Sequence, residues 1–236
     1  MTNGGQQLEL PELPRAGGIT ELPIAGAWVF SPRIHGDERG SFAEWFRADE
    51  CAEKLGYPFE IAQANISHSK RAVVRGIHLA EVPPGQAKFV TCVAGEVNDV
   101  LVDVRRGSPT YGKHISIPLS AATVRAVFVP VGVGHGFTAT SDTATVTYLV
   151  NEAYNPRREF EINAFDAALG IEWGVDAADA VRSDKDVNAP LLAEVTQRLP
   201  QWRECRGWEQ QLRSEWEDAL AHADAYEGEP EGGVGR

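Results

Sequence analysis

Between residues 21 and 165 the chain alternates short apolar runs with clusters of turn residues. The runs "GAWVFSP", "AKFVTCVAG", "EVNDVLVDV", "HISIPLS", "RAVFVPVGV" and "ATVTYLVNEAY" are punctuated by "GDERG", "PPGQ", "RRGSPTYG" and "TSD". Apolar or period-2 runs bounded by Gly, Pro and Asp mark strands. Many such strands with few helices between them predict a sandwich or closed barrel, not βαβ units. One short helix is expected over 48–56, "ADECAEKLG", with Gly56 as its C-terminal stop. Beyond Trp173 the period changes. "LLAEVTQRL" and "WEQQLRSEWEDALAHADAY" read as helices, and Trp208, Leu212, Trp216 and Leu220 recur every fourth residue. That stripe is expected to pack the tail onto the barrel or across a subunit interface. The division is therefore a flexible arm (1–20), a β domain (21–187), a helical extension (188–226) and a disordered tail (227–236).

Composition leaves this picture intact. With 43% hydrophobic and 24% charged residues, the 236-residue chain is an ordinary globular protein able to bury a sizeable core. A net charge of −12 argues against nucleic acid or an anionic membrane as the main partner. An anionic small ligand would need a local cluster of cations. Cys51, Cys92 and Cys205 are widely spaced and lack a CxxC context, so they read as reduced packing residues. There is no basic-then-apolar leader and no run of membrane-span length, so a soluble, cytoplasmic protein is expected.

Candidate chemistry gathers in the β region. "VVRGIHLAEVPPGQAKFV" sets Arg75, His78 and Lys88 into apolar text, and "DERGSFAEWF" carries Arg39 and Glu44. Gln63 and Asn65 alternate and so share one strand face, whereas Arg75 and His78 can share one only through a kink, which Gly76 allows. Cations converging in a barrel mouth call for a counter-anion, and a phosphate or diphosphate fits guanidinium geometry. Taken one motif at a time, rim ion pairs account for each residue; taken together, a ligand accounts for them better. His135 stands between two glycines in "VPVGVGHGF", which suits close approach of a ligand group or a tight turn. With no HxH pair, no metal site is expected. Tyr148 in "TVTYLV" is a core aromatic or a proton donor. Tyr154, Glu159 and the turn residues Lys185 and Asp186 complete the set.

The ordered blocks "DERGSFAE", "QANISHS", "VVRGIH", "PPGQAKFV", "VPVGVGHGF", "AYNPRREFE" and "SDKD" resemble the dTDP-4-dehydrorhamnose 3,5-epimerases and their antibiotic-sugar relatives over residues 21–187. The resemblance implies an all-β, cupin-type jelly roll with a few peripheral helices. It implies a homodimer that acts, without metal or cofactor, on a dTDP-4-keto-6-deoxyhexose. By the same resemblance His78 is the base that removes a proton beside the C4 ketone, with Asp186 fixing its tautomer. Tyr148 reprotonates the opposite face, and Lys88 offsets the enolate charge. Arg39, Gln63, Asn65, Arg75 and His135 match residues that hold nucleotide and sugar. Glu44 and Glu159 match partners of the thymidine end, Tyr154 the aromatic near the base, and Lys185 a further contact. Two departures border the expected sugar pocket: "HLAE" replaces an aromatic and Gln after the histidine, and "EAY" replaces "DYY". The rival expectations are a 3,4-ketoisomerase on the same ligand and a non-catalytic sugar-nucleotide-binding cupin.

Overall fold

The alternating runs pair as antiparallel strands in the computed structural model, which describes residues 5–227. In chain order these are β1 (Ile19–Glu21), β2 (Trp28–Phe30), β3 (Ile34–Asp37), β4 (Gly40–Ala43), β5 (Gln63–Lys70), β6 (Val74–Ala80) and β7 (Lys88–Ala94). They continue as β8 (Glu96–Asp103), β9 (His114–Ser120), β10 (Ala126–Val129), β11 (Val133–Ala139), β12 (Thr143–Val150) and β13 (Glu159–Glu161). A six-stranded sheet, β1-β2-β10-β7-β12-β5, faces a five-stranded sheet, β13-β6-β11-β8-β9, as a jelly roll, and β3-β4 form a separate hairpin. The helices are α1 (Ala48–Leu55), α2 (Asp184–Val187) and α3 (Trp202–Glu227). Gly56, at φ 78°, ends α1 as its sequence position predicts.

Three apolar layers explain why several strands lack clean alternation. Val90, Leu101, Ile117, Val127, Phe137 and Val146 fill the space between the sheets. Ile77, Val100, Val102 and Trp173 form a second layer outside the five-stranded sheet, under the segment 160–199. Trp28, Phe89 and Phe128 form a third outside the six-stranded sheet, covered by Cys51 and Leu55 of α1 and by Cys205 and Trp208 of α3. Strands such as β10 and β11 are thus buried on both faces. All three cysteines are buried and free.

The kink foreseen at Gly76 is a change of register. On β6, His78 pairs with His135 but Arg75 pairs with Phe137, so one extra residue is accommodated on β6. Side chains three apart thereby both face inward. Gly76 holds φ 114°, and a Cβ there would stand 2.6 Å from both the Gly136 Cα and the His135 carbonyl. Gly134 and Gly136 serve the same packing, since their Cβ atoms would meet Ile77 Cγ2 at 2.5 Å and the Arg75 carbonyl at 2.7 Å. The glycines around His135 therefore let β6 approach β11. Gly76→Ala is expected to lower stability by at least about 2 kcal/mol in urea unfolding. A change of a few tenths would contradict this account of the bulge.

The ends differ from expectation. Within the 1–20 segment anticipated as a flexible arm, residues 7–13 lie along the barrel: Gln7 bridges to His114, and Leu8, Leu10 and Leu13 pack against the inner core. Spaced leucines dock where a polar arm would not. The tail's 192–195 stretch is a single 3-10 turn, and α3 runs 26 residues with its N-terminal half on the barrel. Except for Glu227, the expected disordered tail lies outside the described residues. No helix among them is long and apolar enough to cross a membrane.

Candidate active site

The six-stranded sheet brings four candidates to its inner face at one end. Lys88 opens β7, two residues before inward Val90. Tyr148 on β12 pairs with Asn65 and Val90, and Gln63 pairs with Val150. The Gln63 amide donates to Asn65 Oδ1 at 2.7 Å, and its carbonyl accepts the Tyr154 N–H at 3.0 Å. Strand alternation puts Gln63, Asn65, Lys88 and Tyr148 on the side that faces the other sheet. Lys88 is only 7% exposed, and among the described residues it has no ion-pair partner. Burial brings its ammonium down from 10.5 to about 8, although the charges of Glu159 and Asp99 pull it up. Tyr148 is raised by burial and by Glu159, with Arg75 opposing, so the phenol keeps its proton.

The facing sheet supplies the imidazoles. His78 Nε2 contacts Asp186 Oδ1 at 2.6 Å, while the ring remains 37% exposed. Ser183 caps α2 and donates to Asp186 Oδ2 at 2.7 Å. Burial raises Asp186, but hydrogen bonds from His78 and Ser183, the His78 charge and the Gly76 amide together bring it below its ordinary value. With Nε2 on the carboxylate, Nδ1 of His78 carries the free lone pair. His135, the cross-strand neighbour of His78, contacts buried Asp99 Oδ2 at 2.8 Å. Glu159 opposite Ala80 and Glu161 opposite His78 edge the same face. Glu159 on β13 acts on both Lys88 and Tyr148, and Asp99 on β8 acts on Lys88, so these inward side chains of the two sheets face one another.

Arg75 reaches from β6 to the edge strand β5, donating to Ser69 Oγ at 3.1 Å and the His68 carbonyl at 3.3 Å. Tyr154 is exposed beside Gln63. Lys185 pairs with Glu161 at the rim. Arg39 and Glu44 are not brought to these side chains. Arg39 pairs with Asp37 on the β3–β4 hairpin at 86% exposure, and Glu44 faces Arg47 at 3.4 Å. Asp99, Ser183 and Gln86, which donates to Glu159 at 3.3 Å, were not among the candidates. The signal for Asp99 was a carboxylate at an inward position between Val97 and Leu101. The two departures also meet: Ala80, Glu81, Glu152 and Ala153 line one small cavity beside Glu159. Glu81 is held there by Arg198, at 2.8 Å.

Against known proteins, the sequence model of dTDP-4-dehydrorhamnose 3,5-epimerase matches residues 21–194. The dTDP-4-dehydrorhamnose 3,5-epimerase of Mycolicibacterium smegmatis is 44% identical over 195 residues, covering 82% of this chain and 96% of that protein. The rmlC epimerase structure from Mycobacterium tuberculosis superposes with a TM-score of 0.80 at 41% identity, covering 83% of this chain and 99% of that one. ChmJ, a 3'-monoepimerase from Streptomyces bikiniensis solved with dTDP-quinovose, gives 0.78 at 42%, covering 81% and 98%. Barrel, matched length and identity agree, and the chain belongs to the dTDP-4-dehydrorhamnose 3,5-epimerase family of isomerases.

Proposed function

We propose that this chain is a cofactor-independent epimerase of a dTDP-4-keto-6-deoxyhexose, inverting C3, C5 or both. The observation that carries the reading is Lys88, a buried ammonium without an ion-pair partner among the described residues, on the inner face of one sheet beside Tyr148 and opposite the sheet that carries the His78–Asp186 pair. His78 Nδ1 takes the proton from the carbon beside the C4 ketone, and the C–H electrons move onto the ketone oxygen as an enolate. Lys88 stabilises that oxyanion in a partly dry site, where a fixed charge acts more strongly than in water. Tyr148 delivers a proton to the opposite face and inverts the centre. Asn65, Gln63, Arg75 and His135 hold the sugar and diphosphate, with Glu159, Tyr154 and Lys185 at the nucleoside end.

Arg39 and Glu44 complete the site from a second copy in a homodimer. This reading is supported by the β3–β4 hairpin, whose Phe42 is 66% exposed, and by Ile66, 64% exposed on edge strand β5. A bare two-stranded hairpin and an apolar edge both favour a partner. A solution mass of one chain would sink the dimer.

The reaction is tested by incubating dTDP-4-keto-6-deoxyglucose with the protein in heavy water and reading deuterium by NMR. Deuterium is expected at C3, at C5 or at both, with an inverted product. No incorporation at either carbon by folded protein would overturn the assignment, and a carbonyl that moves to C3 would make the chain a ketoisomerase.

A further inference from the structure

Outside the barrel, α3 and the segment 57–60 wall a half-open cavity of about 320 Å³ beside the start of β7 and the end of β12. Its walls include the indoles of Trp208 and Trp216 and the phenol of Tyr57. Glu60, Glu152 and Glu215 also line it, Glu60 and Glu215 being solvent-exposed, and no lysine, arginine or histidine does. Among the described residues none of the three is in an ion pair, and Glu215 accepts only from the neutral Gln211 amide, at 2.8 Å. Arg213, which lies near the Tyr57 ring, is committed to the Leu55 carbonyl at 2.7 Å and faces Glu209 at 3.9 Å.

Three carboxylates around one opening give it a negative potential that favours a cation, although water screens it where Glu60 and Glu215 are exposed. Aromatic faces attract cations as well, through the ring quadrupole. Both features reject an anion, and a hydrated metal ion would leave the indoles facing its water shell. A neutral apolar guest would leave the carboxylates unused. We propose that this cavity binds a small organic cation, an ammonium ion carrying an apolar or aromatic body. Trp208, Leu212, Glu215 and Trp216 lie beyond residue 194, where the family match ends, so the extension supplies one wall of this site, while Glu152 also lines the small cavity beside Glu159.

Isothermal titration of the full chain with benzyltrimethylammonium chloride, benzyl alcohol and sodium benzoate tests this. The cation is expected to bind saturably with one-to-one stoichiometry, benzyl alcohol at least tenfold more weakly, and benzoate not at all. The nearly isosteric triple variant Glu60→Gln, Glu152→Gln, Glu215→Gln is expected to lose at least tenfold in cation affinity, and Trp216→Ala a similar amount, with melting curves checking the fold. Equal binding of cation and alcohol would reduce the cavity to an apolar groove and overturn the proposal. So would the absence of saturable cation binding, or a triple variant with unchanged affinity. The comparison of three probes on the unaltered chain decides the matter even if a variant fails to fold.

Discussion

His78→Ala is expected to reduce deuterium incorporation at C3 and C5 by about 10³–10⁴-fold, the upper range for loss of a positioned base. The fold should survive. The ring is 37% exposed, so little packing is lost, and Asp186 keeps the Ser183 hydroxyl at 2.7 Å and its own amide on Ser183 Oγ at 3.1 Å. One lost hydrogen bond to a largely buried carboxylate costs about 1–3 kcal/mol. Tyr148→Phe is the informative companion. His78 would still remove the proton and, having exchanged with solvent, return a deuteron to the same face. Exchange without inversion is therefore expected from Tyr148→Phe, and neither from His78→Ala. If His78→Ala still exchanged at near the unaltered rate, another group would be the base and the assignment of Nδ1 would fall.

How far the sequence reaches can be judged from particular residues. Gln63 and Asn65 were readable as one face because strand alternation is local, and the bulge was foreshadowed because glycine within a strand marks close backbone approach. Asp99 was hidden because an aspartate inside an apolar run looks like an interruption until its pairing with His135 is known. The arm was misread for a related reason. Gly and Pro around Leu8, Leu10 and Leu13 suggest mobility, and only the barrel wall shows what the leucines bury against. Arg39 and Glu44 sit in the matching motif, but they pair with Asp37 and Arg47 at the surface, and sequence spacing does not reveal that the β3–β4 hairpin stands apart from the two sheets. Glu81, just past the departure at Leu79 and Ala80, pairs with Arg198, beyond the family match, a link that only folding discloses.

Lys88→Met is expected to make the protein more stable and a poorer catalyst, a combination that a purely structural lysine would not give. The two side chains have similar length and flexibility, so packing at this 7%-exposed position is retained. Burial holds the ammonium at about 8, against 10.5 in the unfolded chain. The unfolded state thus binds more protons between those values. The penalty is fully present below pH 8 and disappears as pH rises through 10.5. Removing it should raise stability at pH 7 by on the order of 3 kcal/mol. The unaltered protein should gain urea resistance between pH 8 and 10 from this residue, and Lys88→Met should lack that gain. Activity moves the other way: losing a fixed charge at a developing oxyanion lowers kcat by about 10²–10³-fold. In the free enzyme the ammonium titrates near 8, so kcat/KM should fall above that pH, and a bound dianionic diphosphate should shift the limb of kcat upward. A Lys88→Met protein that is less stable at pH 7, or that turns over at the unaltered rate, would remove Lys88 from the chemistry. It would also return the buried cation to the status of an unexplained cost.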